Sequence, residues 1–142
     1  MNMLFLGAAS GVIAASIMLL FSHLAPFFGA GNFVRDLDEP RVFGKEISYR
    51  EAHYLGVLLH VMFCLVSGGL FGAFFDAGLI SGVGFLSVMG WSLVAFLFYG
   101  GVLMPLEGHG VFGVKEDAWF PVDLFLTNVL WGVLFWWIIN LW

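Results

Sequence analysis

Four apolar runs, each close to the ~20 residues a helix needs to cross a bilayer, decide what this chain can fold into. They cover about residues 4–24, 52–75, 83–104 and 121–141. With 61% hydrophobic and only 11% charged residues in 142, a water-soluble fold of this size has no place to bury so much apolar surface, so lipid must serve as the solvent. The sequence therefore predicts an all-α integral membrane protein, a single four-helix transmembrane bundle over 1–142. Pro26 and Pro105 follow the first and third runs as stop signals, and Pro121 falls in the first turn of the fourth, where its missing N–H leaves no bond unmade.

The connections set the orientation. The second and third runs are joined by the short turn DAGLISG, whereas links 27–51 and 105–120 are long and polar. Four spans place both long links on one side and both termini on the other. All five basic residues, Arg35, Arg41, Lys45, Arg50 and Lys115, fall on the long-link side. The positive-inside rule puts those links in the cytoplasm and the N and C termini outside, as expected of a multi-pass protein of a cell's inner (cytoplasmic) membrane. The start MNM carries no basic side chain and its apolar run is long enough to span, so it does not read as a cleaved signal. Trp119 and the group Trp136, Trp137 and Trp142 fall at opposite ends of the fourth span, as interfacial anchors do. Segment 27–33, FFGAGNF, reads as an interfacial or re-entrant piece, and Ser48-x-x-Glu51 as a capping box opening the second helix.

Within the spans, small residues recur every fourth position. Gly7 and Gly11 in the first, and Gly56, Gly68 and Gly72 in the second, mark faces on which helices pack closely. The second stripe also holds His60 and Cys64. A rise of ~1.5 Å per residue puts His60 ~12 Å below the long-link surface and Thr127 and Asn128 ~10 Å below it. Tyr99 and Ser16 fall in the same layer. Polar groups at that depth avoid lipid by facing one another. His60 then either fixes register through a hydrogen bond to Asn128, Thr127 or Tyr99, worth ~1 kcal/mol, or relays protons or binds a ligand. A haem held by two histidines needs a second one at a facing depth, and His23 and His53 lie nearer the surface. Those two, with Glu51, Glu107 and His109, supply imidazole and carboxylate groups at the long-link face, the chemistry of a transition-metal site. Their spacing follows no known ligand pattern and reads rather as a solvated interfacial cluster.

Other chemistries are missing from the sequence. There is one cysteine, so no internal disulfide or thiolate cluster. There is no basic patch suited to nucleic acid, and no P-loop, G-x-S-x-G elbow or HExxH. Neither a cofactor nor an enzymatic activity is expected.

The glycine- and alanine-rich first span, the G-x-x-x-H second span and the element MPLEGHGVFG from Met104 to Gly113 together resemble a family of small bacterial and archaeal four-helix membrane proteins of unknown function. The resemblance covers most of the chain outside the charged first link. It implies the four-helix layout and, in relatives, a second histidine in the fourth span. Asn128 stands at that position here, so a two-histidine ligand site of the relatives would be altered. No activity comes with the resemblance. The expected role is a non-catalytic structural or accessory subunit of a larger membrane complex, of electron-transfer or photosynthetic type, with lipids and other membrane subunits or a second copy as partners. The alternative is a small transporter, channel or cofactor-binding protein built on the His60 layer.

Overall fold

The computed structural model describes residues 2–24, 41–42, 45–46, 48–115 and 118–142. Helix α1 spans Met3–Leu24 and α2 Tyr49–Asp76. Helix α3, Phe85–Phe98, runs through a π-helical turn, Tyr99–Leu103, into the short α4, Met104–Glu107. Helix α5 is Phe120–Ile139. Among the described residues, four stretches are long and apolar enough to cross a membrane: Met3–Leu24, His53–Asp76, Phe85–Leu106 and Phe120–Ile139. In the first link a two-residue antiparallel ladder pairs β1, Arg41–Val42, with β2, Lys45–Glu46. The expected interfacial segment 27–33 lies outside the described residues.

The outside of this bundle is its apolar part. Phe5, Leu20, Leu58, Leu86, Leu97 and Leu126 all point outward, the arrangement lipid favours and water does not. Inside, α1 and α2 meet backbone to backbone. A Cβ on Gly7 would collide with the Gly68 carbonyl oxygen, one on Gly11 with that of Cys64, and one on Gly72 with that of Met3. Each four-residue step along α1 is matched by a four-residue step back along α2, so the glycines set one antiparallel register. Gly56 differs from the others: nothing lies within 4 Å of where its Cβ would be. It is exposed, and no described residue packs on it, which corrects its expected packing role. The small-residue stripe is used only in its C-terminal half.

A bulky core closes the rest. Phe71 of α2, Val88 of α3 and Trp131, Phe135, Ile138 and Ile139 of α5 pack with Ala14, Ala15 and Met18 of α1. The Trp131 and Phe135 rings stack at 4.9 Å, and Phe71 meets Phe135 edge-on at 5.4 Å. Helices α3 and α5 approach closely at Gly132, where a Cβ would lie 2.8 Å from that of Ser92. Asn140 Nδ2 donates to the Val83 carbonyl at 3.1 Å, and Met3 touches Gly72, so both termini sit at the end of the bundle that carries the short turn.

Pro105 does not stop the third span. The helix passes through it to Glu107 because the preceding turn is wound as a π-helix, in which Met104 N–H donates to the Tyr99 carbonyl. Pro105 has no N–H for the Gly101 carbonyl, and widening the turn over Gly100 and Gly101 absorbs that loss.

Candidate functional site

Three members of the expected polar layer, Ser16, Thr127 and Asn128, bond back into their own helices. Ser16 Oγ donates to Val12 O at 2.8 Å, Thr127 Oγ1 to Asp123 O at 2.8 Å and Asn128 Nδ2 to Leu124 O at 3.0 Å. Each bonds to the carbonyl one turn back in its own helix, the nearest acceptor a short polar side chain finds in lipid. His60 is half-buried, and its Nε2 lies 3.9 Å from Sγ of buried Cys64, one turn on. The expected His60–Asn128 hydrogen bond is not formed among the described residues. Tyr99 is drawn to α2 differently, with its ring edge-on to Phe63 at 5.2 Å.

Interhelical polar contacts come instead from residues the sequence reading passed over. Trp91 Nε1–H donates to both the carbonyl and the hydroxyl of Ser67, each at 3.1 Å, joining α3 to α2. Ser92 Oγ donates to the Asn128 carbonyl at 2.6 Å, joining α3 to α5, and Trp131 Nε1–H reaches the Gly11 carbonyl at 3.4 Å, joining α5 to α1. The available signal was that Trp91 and Trp131 lie inside spans, away from either interface, where an indole N–H needs an acceptor.

Beside Ser92 a cleft of about 170 Å³ opens between α3 and α5, lined by Met89, Ser92, Leu93, Phe96, Phe125, Asn128 and Val129. The Leu124 carbonyl can only accept, so the Asn128 atom facing it is the amide nitrogen. That bond uses one amide N–H. The other N–H and the side-chain oxygen have no partner among the described residues.

At the long-link end the expected surface cluster is divided. His23 of α1 and His53 of α2 come together, ring centres 5.7 Å apart and edge to face. His23 Nδ1 lies 2.8 Å from the Leu19 carbonyl. His109 is buried at 4% exposure rather than solvated. It is enclosed by the turn that the MPLEGHGVFG element forms: His109 N–H donates to Met104 O at 3.0 Å, and Lys115 N–H to His109 O at 3.2 Å. Gly108 ends α4 in the left-handed region, at φ 96°. Phe112 lays its ring against Gly100 and, at 4.9 Å, against Phe96. Glu51 is committed to the capping box. Its carboxylate accepts from Ser48 N–H at 3.0 Å and Ser48 Oγ–H at 2.7 Å. Those bonds, the hydroxyl's first, hold the Glu51 carboxyl below its ordinary pKa. The side chain of Glu107 lies outside the described residues. No group of three or more His, Cys, Asp or Glu side chains gathers among the described residues.

The fold and these contacts define a class: a small helical protein with four membrane-spanning helices, held by a glycine seam and by indole and hydroxyl bonds between helices. Set against protein-family models, curated proteins and solved structures, the chain matches none.

Proposed function

We propose that this chain is a non-catalytic accessory subunit of a larger membrane assembly, docking a transmembrane helix of its partner against the α3–α5 cleft. The observation that carries this reading is the Asn128 amide. It lies eight residues into α5, ~12 Å along the helix, and opens into an apolar cleft with an acceptor and a donor that no described residue uses. Acyl chains offer neither. A neighbouring helix with a polar side chain offers both, and interhelical bonds of this kind contribute ~1 kcal/mol. The cleft is comparable in size with a cavity of ~150 Å³ that accepts a benzene ring, so it has room for one anchoring side chain. That Ser16, Thr127 and Asn128 bond back into their own helices favours this over a transport path through His60. Placement in a cytoplasmic membrane with the long links inside belongs to the same reading and rests on the charge asymmetry of those links.

The test is extraction from native membranes in a gentle detergent, followed by native electrophoresis. The chain is expected to migrate within a larger complex. Asn128→Leu is expected to weaken that association about tenfold, the equivalent of ~1.4 kcal/mol. Recovery of the unaltered chain wholly as a monomer, or an assembly indifferent to Asn128→Leu, overturns the reading.

A further inference from the structure

We infer that His23 and His53 form a binding site for a divalent transition-metal ion that clamps α1 to α2 at the long-link end of the bundle. Three observations combine. The first is register. Twelve residues beyond Gly11 on α1 is His23, and twelve back from Cys64 on α2 is position 52, one residue from His53. The glycine seam therefore brings the two imidazoles to the same height, and their ring centres are 5.7 Å apart.

The second is tautomer. A backbone carbonyl only accepts, so the 2.8 Å contact to Leu19 fixes the proton of neutral His23 on Nδ1. Its Nε2 is then a lone-pair donor held in orientation. A ring N–H bonded to a backbone carbonyl is the outer support that metal-ligating histidines characteristically have, because it sets both the tautomer and the direction of the ligand.

The third is distance. Two imidazoles on one ion, with metal–nitrogen bonds of ~2.1 Å, hold their ring centres roughly 5 Å apart at a tetrahedral angle. The observed 5.7 Å is close to that separation, and turning the rings out of their edge-to-face contact points their nitrogens at a shared ion. Imidazole nitrogen suits zinc, copper and nickel. No third His, Cys, Asp or Glu joins the pair among the described residues. This inference does not depend on the docking role of Asn128, because the cleft and the histidines lie on different helix pairs.

The test is titration of the purified full-length chain in detergent with Zn²⁺ alone, by equilibrium dialysis, with Cu²⁺ as a spectroscopic probe. One saturable ion per chain is expected. His23→Gln and His53→Gln should each weaken binding at least tenfold, while His60→Gln and His109→Gln leave it within twofold. The Cu²⁺ electron spin-echo spectrum of the unaltered chain should show two coordinated imidazoles, a readout that needs no variant to fold. Non-saturable binding, saturable binding that survives His23→Gln with His53→Gln, or a Cu²⁺ spectrum with one imidazole or none each overturns the site.

Discussion

Gly7 and Gly68 touch through their backbones: a Cβ added to either would collide with the carbonyl oxygen of the other. The contact involves main chain on both sides, so no rotamer change can relieve it. The two helices would have to separate. Gly68→Ala is therefore expected to lower the unfolding free energy in detergent by about 1–3 kcal/mol, the usual range for overpacking a tight contact. Gly56→Ala, on the same stripe but in open space, should be neutral or slightly stabilising through helix propensity. Equal losses at the two positions would contradict the seam.

The contrast between those glycines marks how far the sequence could be read. Span number, span position and the close approach at Gly7, Gly11, Gly68 and Gly72 were legible, because apolar length and four-residue spacing report them directly. That Gly56 packs on no described residue was not legible, since periodicity gives a face but not how far along it a neighbour remains in contact. The pairing of Asn128 with His60 was inferred from equal depth. Depth fixes height in the membrane but not azimuth, and a short side chain in lipid reaches its own helix's carbonyl first, as Asn128 does with Leu124. The same limit hid the meeting of His23 and His53, which follows only from the register of two whole helices.

Two buried serines should respond to alanine in opposite directions. Ser92 Oγ donates across to the Asn128 carbonyl at 2.6 Å, whereas Ser10 Oγ is buried without a partner among the described residues. Ser92→Ala removes an interhelical bond and is expected to destabilise by about 0.6–1 kcal/mol. Ser10→Ala removes a hydroxyl that gains nothing from burial and is expected to be neutral or stabilising by up to ~1 kcal/mol. Chemical denaturation of both variants in one detergent decides it, and a loss at Ser10 equal to that at Ser92 would show that Ser10 is bonded in solution.

The capping box gives a pH dependence of known sign. The Glu51 carboxyl, held by the Ser48 hydroxyl and amide, titrates below its ordinary value of 4.5. Its folded pKa is lowered, so its contribution is complete above the unfolded-chain value and fades as pH falls through the folded one. A ¹³C titration of the Glu51 carboxyl should show a midpoint below that of an unbonded glutamate, and Ser48→Ala should return it to the ordinary range. Glu51→Gln keeps the reciprocal bonds of the box and should make the first turn of α2 insensitive to acid. An unshifted midpoint in the unaltered chain would mean that the box does not form.

The turn after α4 depends on backbone angles more than on side-chain identity. Gly108 caps α4 at φ 96°, and Gly113, at φ 74°, leaves no space for a Cβ beside the ring of Phe120. An L-residue forced into the left-handed region costs about 1–2 kcal/mol, so Gly108→Ala is expected to destabilise by that amount although nothing lies within 4 Å of the new methyl group. Gly113→Ala adds a collision to the same backbone cost and should be worse. Gly90→Ala, in the interior of α3 with open space around it, controls for the loss of a glycine alone and should be neutral or stabilising by up to ~1 kcal/mol. Because the turn encloses His109, proteolysis of the link on either side of it should accelerate in Gly108→Ala and Gly113→Ala but not in Gly90→Ala. If all three variants melt and cleave like the unaltered chain, the turn is not what holds His109 in the interior.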